Sequence, residues 1–108
     1  MTDWTKYLRM GVIAENEGVV TAVIVTSTAT EFSSQLTGGQ TRKLFSVYNN
    51  SESGSGECYY GYTSAVTSAN GFTVPKGSAV DIPVSVDISV YFISETGEQG
   101  DFRVEELS

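Results

Sequence analysis

The chain has 108 residues, enough for one domain with one modest core. Thirteen acidic residues against six basic ones give a net charge of −7, and Lys6, Arg9, Arg42, Lys43, Lys76 and Arg103 are scattered, which argues against a nucleic-acid partner, because phosphate contacts need clustered Lys and Arg. Histidine is absent, which removes Ser-His-Asp and Cys-His machinery and the common zinc sites, and the single cysteine, Cys58, excludes an internal disulfide.

The first residues, MTDWTKYLRMGVIAENEG, lack a long apolar run, so neither a signal peptide nor a membrane span is expected, and the protein is read as made and folded in a cytoplasm. Asp3 to about Met10 reads as a short helix. Asp3 is its N-cap, Trp4 and Leu8 stand four apart with Tyr7 beside them, and Gly11 ends it. Residues 1–18 are therefore expected to form an arm or short helix preceding a domain of residues 19–108. Trp4, Tyr7 and Leu8 are its candidate anchors on a neighbouring subunit, since aromatic side chains are enriched at interface centres.

Glu15 to Gly18 is a polar turn. Val19 to Thr28 is a β-branched run with apolar residues on both faces, which suits a strand buried on both sides or one in a subunit interface. Glu31 to Leu36 reads as a short strand with Phe32 inward, and Thr37 to Gln40 as a turn. Thr41 to Asn49 is a strand with Leu44, Ser46 and Tyr48 on one face and Phe45 and Val47 on the other. A small polar loop, Asn50 to Gly56, leads to a strand over Glu57 to Tyr62, and the simplest pairing of the two is an antiparallel hairpin. Gly61 in that second strand predicts a bulge or a close backbone approach, and Cys58 reads as a small buried side chain.

Asn70-Gly71 predicts a tight turn with positive φ, and Pro75-Lys76-Gly77 a second turn, with a very short strand at Phe72 and Val74 between them. From Ala79 to Ile93 every even position from Val80 to Phe92 is apolar, a period-two stripe that no helix makes. The stretch is long for one strand, so two are expected, roughly 79–84 and 86–93, bent near Ser85–Asp87 with Pro83 at an edge or at the bend. Glu95 to Gly100 reads as an acidic hairpin loop. Asp101 to Leu107 closes the chain as a strand with Phe102, Val104 and Glu106 on one face. The expectation is an all-β fold: an antiparallel β-sandwich or small barrel of about 7–8 short strands.

Residues with chemistry are sparse. Glu95, Glu98 and Asp101 are the one carboxylate cluster, and they lack the close Asp/Asn alternation of a calcium loop. Glu105 and Glu106 are neighbours on a strand and point to opposite faces, so they cannot act as a catalytic pair. Neither Gly38-Gly39 nor Gly54-Ser55-Gly56 is a phosphate loop. No catalytic residue, metal ligand or cofactor site is assigned. Tyr59, Tyr60 and Tyr62 put rings on both faces of one strand, which suits either a protein contact surface or a stacking platform for sugars.

The order of segments VIVTSTATEF, TRKLFSVYNNSESGSGECYYGY, VTSANGFTVPKGSAVDIPV, VYFIS and FRVEEL resembles a group of small tailed-phage and prophage virion proteins, over about residues 19–107. The resemblance implies a compact β-sandwich used as an accessory piece of the head, neck or tail, with no catalytic residues to carry over. The expected function is that of a virion structural protein, a head decoration, accessory or neck protein. Its expected partners are copies of itself and other virion proteins such as the major capsid, neck or tail protein. The alternative is a carbohydrate-binding module of a phage tail or host-recognition structure.

Overall fold

Alternation in the last strand sets the frame. Between Asp101 and Leu107, Phe102, Val104 and Glu106 are fully buried while Asp101, Arg103 and Glu105 are half-buried, so one face looks inward along the whole strand. The computed structural model describes residues 16–37, 41–52 and 57–108. These form eight strands: β1 (Gly18–Val25), β2 (Thr30–Glu31), β3 (Leu44–Asn49), β4 (Cys58–Gly61), β5 (Phe72–Val74), β6 (Ala79–Asp81), β7 (Tyr91–Ser94) and β8 (Gly100–Leu107). The first sheet has the order β1-β8-β3-β6 and the second β2-β7-β4-β5, with antiparallel neighbours throughout. The fold is an all-β sandwich, and no helix occurs among the described residues. The segment carrying the expected N-terminal helix, with Trp4, Tyr7 and Leu8, lies outside them.

Both sheets contribute to one core. Val25, Phe45, Val47, Phe102 and Val104 from the first face Cys58, Tyr60, Val74 and Phe92 from the second. Phe92 and Phe102 meet edge to face across the gap at 5.0 Å, and Phe32 closes the side of the core against Phe45 at 5.5 Å and Phe92 at 5.9 Å. Each such side chain contributes about 1.5–3 kcal/mol through burial. Asn49, fully buried, donates from Nδ2 to the Val74 carbonyl at 2.9 Å and so ties β3 to β5 across the sheets. Backbone pairing reaches past β1: the Asn16 amide donates to the Ser108 carbonyl and the Ser108 amide to that of Glu17, both at 2.9 Å.

Consecutive strands mostly belong to different sheets, and here several expectations are corrected. Among the described strands only β4 and β5 are both consecutive and paired. The expected hairpin of 41–49 with 57–62 does not form: β3 lies in the first sheet between β8 and β6, and β4 in the second between β7 and β5. Glu95–Gly100 is likewise a crossing from β7 to β8 rather than a hairpin tip, turned at Gly97 with φ 81°. The 79–93 stretch is also divided. Ile82 still donates to the Phe45 carbonyl at 2.8 Å, but at Pro83 the chain leaves the first sheet, and a turn over Ser85–Ile88 carries it to the second. The apolar stripe thus serves both walls of the core: Ile82 and Val90 are buried, while Val86 and Ile88 at the crossing are exposed.

Two further expectations change in detail. Among the described residues Val19 to Thr28 is not buried on both sides: β1 ends the first sheet and pairs with β8 alone. At Asn70-Gly71 neither residue has positive φ. Asn70 Oδ1 instead accepts from the Thr67 amide at 2.7 Å, and the loop lies so close to β4 that a Cβ on Gly71 would stand 2.8 Å from that of Tyr59. Gly61 shows the close approach expected of it, its Cβ position being 2.6 Å from a Val66 methyl, and Gly77 turns with φ 73°.

Candidate functional site

Among the described residues β1 has a side without a partner strand. Its sequence, GVVTAVIV, carries no charge and no proline, and among the described residues it pairs on one side only, with β8. Thr21, Val23 and Val25 turn inward, and Val20, Ala22 and Ile24 turn outward, with Val20 66% and Ile24 59% exposed. Between β1 and β2 the two sheets stay apart, leaving a cleft of about 210 Å³ lined chiefly by Thr21, Val23, Val25, Phe32 and Phe92. Natural sandwiches blunt such edges with Lys, Pro or a bulge, and β1 has none of these.

The three tyrosines of 59–62 are separated by the strand. Tyr59 faces outward and its hydroxyl donates to Glu95 Oε1 at 2.6 Å, a bond that, with burial and the Glu95 charge, pushes the phenol up to about 12. Tyr60 faces inward and is buried, and that burial, then Tyr62, raises its pKa. The structure adds a ring that sequence reasoning did not single out. Phe72 lies directly opposite Tyr60 in the β4–β5 register and stacks on it at 5.2 Å, while Tyr62 meets Tyr60 at 6.0 Å and Phe72 at 6.5 Å. Tyr62 and Phe72 are the exposed members of this cluster. Nothing in local spacing pairs residue 60 with residue 72, because their contact depends on the length of the intervening loop.

A second feature had a sequence signal for one of its members only, Glu106 on the face of Phe102 and Val104, and none for its partners. Glu106 continues the inward face of β8 and is completely buried. It accepts from Ser34 Oγ at 2.6 Å and from the Gln35 amide at 2.8 Å, which satisfies both its oxygens. Arg42 Nε stands 3.4 Å from Glu106 Oε2, and its guanidinium lies over the Phe45 ring at 4.2 Å. Three segments converge here, Ser34–Gln35, Arg42–Phe45 and the distant Glu106, so only the folded chain brings the pair together.

The acidic groups near the β7–β8 crossing are committed to local structure. Glu95 holds Tyr59, Glu98 accepts from the Glu57 amide at 3.2 Å, and Asp101 is bound by Arg103 and by Asn50. The Arg103 hydrogen bond, aided by that of Asn50, holds the Asp101 carboxyl below its usual range. Among the described residues no three His, Cys, Asp or Glu side chains stand close enough to hold a metal ion. Cys58 is fully buried, and burial, followed by Glu57 and Glu98, pushes its thiol up to about 12. It stays protonated at neutral pH and is a poor nucleophile. Among the described residues no helix is long and apolar enough to cross a membrane. Neither a scan against protein-family models nor a search of curated proteins returns a match for this chain.

Proposed function

We propose that the protein is a structural building block that works by protein–protein contact and not by catalysis: an accessory piece of a tailed-phage virion, at the head or neck, made in the host cytoplasm and carried into the particle. One observation bears most of the weight, the uncharged edge strand β1 with Val20 and Ile24 exposed. Among the described residues the edge of β1 turned away from β8, where alternate residues present their backbone N–H and C=O groups, is complementary to another extended strand. A second copy of β1, related by a two-fold axis, would pair antiparallel with the first and join two four-stranded sheets into one. Val20 and Ile24 of both copies would then lie side by side, each cross-strand pair contributing about 0.2–1 kcal/mol before the cost of association. Trp4, Tyr7 and Leu8 belong to this reading as a second contact, on the copy or on the shell.

Light scattering over a concentration series tests it, with the wild type and a Val20→Lys/Ile24→Lys variant. The expected result is a closed oligomer for the wild type and a monomer for the variant, with the same circular dichroism. A wild type that stays monomeric throughout, or an oligomer that survives both lysines, overturns self-association through β1. The same preparation on a glycan array addresses the carbohydrate-binding alternative, which after the placement of Tyr59 and Tyr60 stands on the exposed rings Tyr62 and Phe72.

A further inference from the structure

Asn70 is the asparagine of this chain that is followed by glycine, and it is exposed to solvent. An asparagine amide can be attacked by the backbone nitrogen of the next residue. The Gly71 nitrogen would lose its proton to hydroxide and bond to Asn70 Cγ, and the side-chain nitrogen would leave as ammonia. Water then opens the resulting succinimide at either carbonyl, to aspartate or to isoaspartate. Nothing but water and hydroxide is consumed. Glycine favours the attack because no Cβ screens its nitrogen.

The fold holds back both reacting atoms. The Gly71 N–H donates to the Thr67 carbonyl at 2.8 Å, so the proton that must leave is engaged. Asn70 Oδ1 accepts from the Thr67 amide at 2.7 Å and Nδ2 faces the Ala65 carbonyl at 3.4 Å, which keeps the side chain turned back towards residues 65–67. Thr67 Oγ1 in turn accepts from the amides of Ala69 at 3.2 Å and Asn70 at 3.3 Å. This is the reciprocal arrangement of a capping box, with Asn in the place of Glu or Gln and closed on a single turn. Gly71 has no room to shift inward, since its Cβ position lies 2.8 Å from Tyr59 Cβ and 3.0 Å from a Val66 methyl.

We propose that Asn70 is a modification site guarded by Thr67: the reciprocal cap keeps Asn70-Gly71 from cyclising, and local opening of the 65–71 loop leads to irreversible deamidation beside the aromatic cluster. The placement gives the change a consequence. Phe72 follows at once and stacks on Tyr60 at 5.2 Å. Isoaspartate inserts one more carbon into the main chain, and a loop pressed against β4 cannot absorb it, so the Phe72 ring is displaced. Aspartate keeps the chain length and an oxygen for the Thr67 amide, and leaves the ring in place. This site goes beyond the contact through β1 and does not depend on it.

The test follows aspartate and isoaspartate at position 70 by peptide mass spectrometry during incubation in mildly alkaline buffer. Wild type, Thr67→Ala, Thr67→Ser and Gly97→Ala are compared, with a free peptide of residues 65–75 as the unprotected reference. The folded wild type is expected to deamidate at least ~10-fold more slowly than the peptide, because the loop must open first. Thr67→Ala loses the hydroxyl half of the cap and should deamidate roughly fivefold faster than wild type, while Thr67→Ser restores the slow rate. Gly97→Ala weakens the fold at the β7–β8 crossing and leaves this loop untouched, so its rate should stay at the wild-type value. A wild type as fast as the peptide, a Thr67→Ala rate no higher than wild type, or a Gly97→Ala rate that rises as much as that of Thr67→Ala overturns the proposal.

Discussion

Gly100 begins β8 where that strand passes close to β4 of the other sheet. A Cβ added there would lie 2.2 Å from Cys58 Sγ on the opposite sheet, 3.3 Å from Val25 Cβ and 3.5 Å from Ser51 Oγ. The sulfur cannot easily withdraw, because Cys58 is paired with Val74 on one side and Ser94 on the other and is fully buried. Gly100→Ala should therefore cost about 2–3 kcal/mol, the upper part of the range for overpacking a core. In a domain of this size that lowers the thermal midpoint by roughly 10–20 °C. Cys58→Ala alone removes a small buried group and should cost about 1 kcal/mol. The double variant places the new methyl in the volume the sulfur leaves, so it should recover to within about 1 kcal/mol of the wild type, a coupling of about 2 kcal/mol. Urea unfolding of the four proteins, followed by fluorescence with the slopes compared, reads this directly. Additive losses, with the double variant less stable than either single one, would refute the close approach of β8 to β4.

Two further outcomes follow from local chemistry. The folded chain keeps the Tyr59 proton up to about pH 12, while an unfolded phenol loses it near pH ~10. The Tyr59–Glu95 bond therefore supports the fold fully below pH ~10 and its contribution is lost as pH rises towards 12. In Glu95→Gln the ultraviolet phenolate titration of that residue should fall back towards the ordinary midpoint; an unchanged curve would show that the bond does not set it. Gly97 turns the β7–β8 crossing with φ 81° and has open space around its Cβ position, so Gly97→Ala should lose about 1–2 kcal/mol from backbone strain alone. Urea unfolding should show a smaller loss for Gly97→Asn, since Asn tolerates that conformation.

Which residues face inward was legible because strand alternation is local. Phe45 and Val47 against Ser46 and Tyr48, and Phe102, Val104 and Glu106 together on one face, follow from a two-residue period whatever the partners are. The turn at Gly77 was legible because its demand is set by backbone sterics, and the close approach at Gly61 because its neighbour, Val66, is only five residues on. Pairing is different. A hairpin is the simplest guess for neighbouring strands, but a sandwich can send consecutive strands to opposite walls, and a loop of a few residues spans either distance. The stripe from Val80 to Phe92 shows the limit: its period is correct and its residues serve a core, yet nothing in it says that Pro83 hands the chain from one sheet to the other.

Composition and periodicity by themselves determined a β domain, the inward face of strands such as β3 and β8 and the absence of histidine chemistry, because these depend on single residues and their near neighbours. Only the tertiary structure decided that β1 pairs on one side only among the described residues, that Phe72 joins Tyr60 and Tyr62, and that Arg42 is drawn to a buried Glu106. Each of these is a meeting of segments far apart in the chain, fixed by how two sheets close on a shared core and by no pattern within any one segment.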